Sequence, residues 1–181
     1  MLSQGMSAAD STVMILAAQM PNRHLHEPLV QGLQVIYDAE KQLVAAIPTL
    51  IRAATSPALK EELTKHFQET KNHVIRLENI FSDIGASAQA KPCAAMKGLI
   101  EEGAEAIKQG ESKSRDARII AAAQKVEHYE IASYGTLRAW AEAMQHTDAM
   151  AILGDNLEEE KAANEKLTDV AQEECNCAVE G

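Results

Sequence analysis

The chain is poor in the residues that build β-structure, in cysteine and in positive charge. Six of its 181 residues are aromatic, five are proline and three are cysteine. All-β folds need aromatic and β-branched runs, so this scarcity argues against them. Cys93, Cys175 and Cys177 do not make a disulfide framework, which fits a reducing cytosol. Cys175 and Cys177 stand as C-x-C in a polar tail and read as inert there. Acidic residues outnumber basic ones 27 to 17, for a formal charge of −10. That balance argues against nucleic acid and against an anionic membrane surface as partners. The apolar run at residues 12–20 is too short to span a bilayer. No Lys or Arg precedes Arg23, so the run also lacks the basic start of a signal peptide. A nucleotide-binding loop, a nucleophile triad and a structural zinc spacing are missing as well.

What remains is the vocabulary of helices: Ala, Leu, Glu, Lys and Gln, with 46 % apolar residues to bury. Residues 1–26 read as an extension that packs on the domain or on a second chain, 27–173 as one helical domain and 174–181 as a polar tail. Within the domain, periodicity predicts long helices over 28–54, 57–84, 115–145 and 149–173, and a short one over 96–108. Ser56-Pro57 supply a cap and a first helical residue, Gly85 a C-terminal stop, and Thr147-Asp148 a cap for the last helix. The links between helices one and two, and between the last two, are short, so each pair is an antiparallel hairpin. About 30 residues separate the second and third long helices, enough to return along a helix of some 37 Å at 1.5 Å per residue. The expected fold is all-α: a ferritin-like four-helix bundle with one long crossover between helices two and three, carrying a short extra helix.

Inward positions of such helices recur at spacings of three and four. They read Leu29, Leu33, Ile36, Glu40, Leu43, Ile47, Leu50 on the first helix. On the second they read Leu63, His66, Thr70, His73, Leu77, Ile80, Ile84, with Glu69 beside Thr70. The third gives Ile120, Ala123, Glu127, Glu130, Tyr134, Leu137, Ala141, and the fourth Met150, Leu153, Leu157, Glu160, Asn164, Leu167, Ala171. Each apolar stripe is broken near its middle by a carboxylate, and the breaks fall at similar depth.

One glutamate on a stripe is ordinarily a surface residue whose stem covers apolar area. Four or five in one layer need a counter-charge, because an unpaired buried carboxylate costs several kcal/mol and neighbouring ones repel. None of these inward positions is Lys or Arg; Lys41, Lys71, Lys125 and Lys161 fall beside the seams. The missing charge comes from protons or from a bound ion, and two divalent metals would balance four glutamates. Glutamates with imidazoles on inward helix faces are the ligand set of carboxylate-bridged di-iron and di-manganese sites. Candidate metal ligands are Glu40, Glu69, Glu127, Glu130, Glu160, His66 and His73. Tyr37, Tyr134, Asn164 and His128 are candidate neighbours of those ligands, the tyrosines by pairing a hydroxyl to a carboxylate. Glu61-Glu62, Glu101-Glu102 and Glu158-Glu159 read as solvated faces; His24, His26 and His146 lie at segment ends and read as solvated.

Five stretches are similar to the YciE/YciF type of ferritin-like bacterial stress proteins. They are Tyr37-Asp-Ala-Glu-Lys-Gln-Leu43, residues 66–78 (HFQETKNHVIRLE), 93–103 (CAAMKGLIEEG), 125–137 (KVEHYEIASYGTL) and 157–167 (LEEEKAANEKL), covering roughly 27–172. The resemblance implies a ferritin-like bundle, a homodimer, a di-iron centre and a stress association, with Glu40, Glu69, Glu127, Glu130 and Glu160 at the family's acidic positions. Members usually show Gln where this chain has His73 and Asp where it has Asn164. The Glu-x-x-His pairs of ferritin-like di-iron enzymes are absent, since Asn72 follows Glu69 by three and Ala163 follows Glu160 by three.

Three functions fit this reading. The first is a di-iron protein, with two iron ions or manganese in their place, that oxidises Fe(II) while reducing peroxide or oxygen. The second is metal buffering without turnover. The third is a stress-associated interaction bundle with no functional metal, its inner carboxylates protonated. The residues do not choose among oxidase, peroxidase and no enzymatic activity.

Overall fold

The computed structural model of the protein describes residues 21–108 and 112–176. The described residues contain helices and no strand. A 3-10 turn at Arg23–Leu25 leads into α1 (His26–Ala53), α2 (Pro57–Asp83), α3 (Ala94–Lys108), α4 (Ser112–Ala143) and α5 (Thr147–Val170). A π-helical turn, Ala171–Cys175, follows α5. Most of the expected N-terminal extension, and Cys177 with the end of the tail, lie outside the described residues.

Local chemistry accounts for most of the boundaries. Ser56 caps α2 by accepting from Leu59 N at 3.1 Å, and Pro57, which has no N–H to leave unpaired, takes the first helical position. Gly85, at φ 67°, closes the same helix: Ala86 N reaches back to Phe81 O at 2.8 Å. The last helix starts earlier than its expected Thr147-Asp148 cap, because Thr147 is already helical and His146 holds the cap position without a side-chain bond. The reversal there is backbone-made. Gln145 adopts φ 61°, and His146 N donates to Ala141 O at 2.9 Å, closing α4 as Gly85 closes α2.

Connections of three residues make α1–α2 and α4–α5 hairpins. Helix α2 also packs on α5, α1 on α4, and α3 on both α4 and α1. Contacts across the interior give directions. His66 of α2 meets Glu127 of α4, and His73 meets Tyr134, seven residues on in both helices, so these two helices run parallel. The connection through α3 makes that possible. Its start is tied to α1, where Asp38 accepts from Cys93 N at 2.8 Å and Gln42 donates to Cys93 O at 3.2 Å.

Buried apolar side chains form two packed groups. One is built around Leu29, Leu33, Ile36, Leu77, Leu137 and Leu153, the other around Leu59, Leu63, Ile119, Ile120, Leu167 and Val170. No described helix is long and apolar enough to cross a membrane. The second group is closed by a buried polar staple. Asp116 of α4, 2 % exposed, accepts from Thr55 N at 2.8 Å, Thr55 Oγ1 at 2.6 Å and Ser56 N at 2.7 Å, fixing the α1–α2 turn. Asp116→Ala leaves these donors unpaired and should cost about 3 kcal/mol in urea unfolding. The exposed Asp169→Ala should stay within about 0.5 kcal/mol.

Candidate metal centre

Four helices place acidic or imidazole side chains in one layer between the two apolar groups. Along α2 the order is Leu63, His66, His73, Leu77; along α4 it is Ala123, Glu127, Glu130, Leu137; along α5, read backwards, it is Leu167, Glu160, Leu153. Helix α1 adds Glu40. Glu40, Glu130, Glu160 and His73 are fully buried, with Glu127 2 % and His66 5 % exposed.

These six residues fall into two overlapping groups. His66, Glu127, Glu130 and Glu160 form one; Glu40, His73 and Glu160 form the other. Within each, one nitrogen or oxygen per residue lies within 4.8 Å of the rest. Glu160 belongs to both. His66 Nε2 is 3.5 Å from Glu127 Oε1, and its Nδ1 is 3.8 Å from Glu160 Oε2. His73 Nδ1 is 3.0 Å from Glu160 Oε1 and 3.2 Å from Glu40 Oε1. Tyr134 donates its hydroxyl to Glu40.

Most of the cluster's polar atoms have no hydrogen-bond partner within the protein. They include both oxygens of Glu130 and Glu160, one each of Glu40 and Glu127, both nitrogens of His66 and Nδ1 of His73. Buried polar atoms are nearly always satisfied, so a concentration of orphans marks a place where the protein expects another group. Oxygen donors with imidazole nitrogens suit a divalent cation of the iron, manganese or zinc kind.

Without a cation the layer is balanced by protons. Burial, and then repulsion from Glu160 and Glu40, push the Glu127 and Glu130 carboxyls well above the usual range. Burial would also raise Glu160, but the charge of His66 and the close approach of His73 outweigh it and the net shift is downward. His73 loses basicity by burial, yet the hydrogen bond to Glu159 and the close carboxylates of Glu160 and Glu40 carry it up to about 12. Burial, followed by the charges of Glu40, Glu130 and Glu160, keeps the Tyr134 phenol protonated far above its ordinary range.

The structure does not bring every candidate to this layer. Glu69 stands outside it. Thr70, fully buried with its hydroxyl folded onto His66 O, takes the inward place, and Lys65 draws Glu69 aside at 2.9 Å. Tyr37 donates to Glu78 at 2.7 Å instead of to Glu40. Exposed His128 bonds Gln124 O at 2.8 Å within its own helix. Asn164 is met by Gln124 at 3.5 Å and faces away from the cluster.

Two readings of solvated faces need correction. Glu62 is 6 % exposed, its charge reaching Glu127, and burial raises its carboxyl. Glu159 is half-buried, 2.7 Å from His73 Nε2 and 2.7 Å from Arg76 Nη1; burial pushes its carboxyl up, but these two partners bring it down to about 2. Arg76 was missing from the sequence-derived set, although it follows His73 by one helical turn.

The arrangement defines a helical protein with a buried carboxylate–imidazole cluster shared among four helices. The chain belongs to the family described as Domain of unknown function (DUF892), whose model matches residues 24–180. It is 42 % identical over 154 residues to Protein YciF of Escherichia coli K12, covering 84 % of this chain and 93 % of that protein. The crystal structure of the E. coli stress protein YciF superposes with a TM-score of 0.82 at 40 % identity, covering 85 % of this chain and 98 % of that one. YcfI from Rhodopseudomonas palustris gives 0.79 at 45 % identity, covering 81 % and 94 %.

The charge pattern sets a pH dependence for the metal-free protein. Above the ordinary carboxyl value of 4.5, Glu127 and Glu130 keep protons that the unfolded chain has lost; above 6.5 so does His73. Stability therefore falls as pH rises. Below 4.5, Glu159 and Glu160 hold fewer protons than the unfolded chain, and stability falls as pH drops. Thermal unfolding followed by circular dichroism should peak near about pH 5 and decline towards pH 8. Glu127→Gln should flatten the alkaline limb; a wild-type profile rising from pH 5 to 8 would contradict the assignment.

Proposed function

We propose that the chain is a ferritin-like four-helix bundle that holds two metal ions, iron first and manganese as the alternative, in a bacterial stress response. In this reading α1, α2, α4 and α5 are the bundle helices and α3 lies in the crossover. The observation that carries it is Glu160, common to two groups whose facing atoms lack protein partners. The description of E. coli YciF as a stress protein supports the physiological setting. The family resemblance brings a homodimer in the cytoplasm into the same proposal.

The residues divide the work. His66, Glu127 and Glu130 would hold one ion, Glu40 and His73 the other, and Glu160 would serve both. Four ionised glutamates balance two divalent charges, so loading releases the protons on Glu127 and Glu130. Tyr134 holds one Glu40 oxygen by donating to it. The apolar groups on either side bury the site, and the oxidant proposed for it is a small one such as peroxide or oxygen. Bound there, the metals supply Lewis-acid and redox chemistry towards that oxidant.

A second reading is a metal-free interaction protein, in which the upward-shifted carboxyls of Glu127 and Glu130 neutralise the layer with protons. Metal counting separates the two. Apoprotein loaded anaerobically with Fe(II) and desalted should carry about two metals per chain, the number that four carboxylates balance. The Glu40→Ala/Glu127→Ala variant should lose them and Glu69→Ala should keep them. A wild-type value near zero would leave the metal-free reading standing. If the loaded protein consumes peroxide, Glu127→Ala should abolish it.

A further inference from the structure

His73 has a partner on the side away from the shared carboxylate. Its Nε2 lies 2.7 Å from Glu159 Oε2. Arg76 grips the same carboxylate as a fork, Nη1 to Oε2 at 2.7 Å and Nη2 to Oε1 at 3.0 Å, and Nη1 also reaches Asn156 Oδ1 at 2.9 Å. Asn156 is fully buried. His73 and Arg76 are one turn apart on α2, Asn156 and Glu159 one turn apart on α5, and the two pairs face each other across antiparallel helices.

Resting on the metal-binding reading, we infer that Arg76 and Glu159 are positioning residues that lock His73 with Nδ1 towards Glu40 and Glu160, making this imidazole a nitrogen ligand of the second metal position. An ionised carboxylate is an acceptor only, and one gripped by a guanidinium has no proton to give. His73 Nε2 must therefore be the donor to Glu159. In the metal-binding form the lone pair then belongs to Nδ1, the atom 3.0 Å from Glu160 and 3.2 Å from Glu40. The Tyr134 ring meets the imidazole edge-on at 5.8 Å, and His73 has no solvent-exposed side to turn into. A carboxylate behind a metal-binding histidine fixes its ring and the nitrogen it offers, and losing such a partner typically costs about 10–100-fold in metal affinity. This chain places that carboxylate one residue before a ligand glutamate, on the same helix.

The alternative is that Arg76–Glu159 merely clamps α2 to α5. The full-length protein, labelled with 15N-histidine and loaded with Zn(II), decides by NMR. Wild type should show His73 with a protonated Nε2 and a zinc-shifted Nδ1. In Glu159→Ala and Arg76→Ala that signature should be lost or split between nitrogens, and the affinity for the second zinc should fall about 10–100-fold. Glu159→Gln, which keeps an acceptor oxygen, should restore the signature. Zinc on Nε2, or a His73 free of zinc in a wild-type chain that binds two, overturns this inference alone. An unchanged signature in the folded alanine variants does the same, leaving a clamp. A wild-type chain that binds no zinc overturns the metal reading with it. Should the alanine variants fail to fold, the wild-type and Glu159→Gln spectra still assign the nitrogen.

Discussion

Four carboxylates share one buried layer. Ionised together and uncompensated, each would cost several kcal/mol to bury and would raise the cost of the others. The rest of the interior is arranged around that problem. Glu160 stands between two imidazoles, at 3.8 Å from His66 and 3.0 Å from His73, and is the one carboxylate of the α4–α5 set that burial does not leave protonated. Glu127 and Glu130 lie on the neighbouring helix and keep their protons. Glu40 is held by the Tyr134 hydroxyl. The parallel course of α2 and α4, which needs the long connection through α3, allows His66 and His73 to flank Glu160 while Glu127 and Tyr134 sit opposite them.

Such a layer does not serve stability. A leucine at each of these positions would join the two apolar groups into one core, and buried ionic groups are often replaced by apolar ones at no loss. Protons solve the problem only in part: a proton on Glu130 can reach Glu40, while both nitrogens of His66 still lack hydrogen-bond partners. A divalent cation solves charge and hydrogen bonding together. In the proposed site protons and metal would compete for the same oxygens, which would couple affinity to pH.

The spacing of three and four found Glu40, Glu127, Glu130, Glu160, His66 and His73, because a helix that packs on two neighbours must turn those positions inward whatever their chemistry. It also found the helices, since Ser56-Pro57 and Gly85 act locally, Ser56 through its hydroxyl and Gly85 through its positive φ. It missed what depends on pairing across the fold. Glu69 and Thr70 are one step apart on α2, and only the packed neighbours decide which faces in; Lys65 then fixes the outcome. The run Glu158-Glu159-Glu160 looks like a solvated charge cluster, yet the three residues point in different directions: one to solvent, one to Arg76, one into the layer. Arg76 and Glu159 are 83 positions apart, and nothing local to either announces the other. The start of α5 falls earlier than its expected place for a related reason, since a backbone reversal at Gln145 does the work that side-chain caps usually do.

The proposed donor set also departs from the Glu-x-x-His spacing of ferritin-like di-iron enzymes, in which an imidazole follows a glutamate by one turn on the same helix. Here both imidazoles come from α2, seven residues apart, and reach Glu160 from opposite sides. Nothing on α5 could replace them, because Ala163 stands where the paired histidine would be and is buried against the core. Moving the nitrogens to a neighbouring helix changes what orients them. A histidine one turn from its glutamate shares that residue's backbone, and its aim is set within one helix. His73 and Glu160 sit on different helices, so their register depends on how α2 packs against α5. The Arg76–Glu159 fork spans that same interface one turn away and ends on the His73 ring. The contact that joins the helices thus also aims the His73 ring, which accounts for a charged pair being kept at the edge of a layer already crowded with charge.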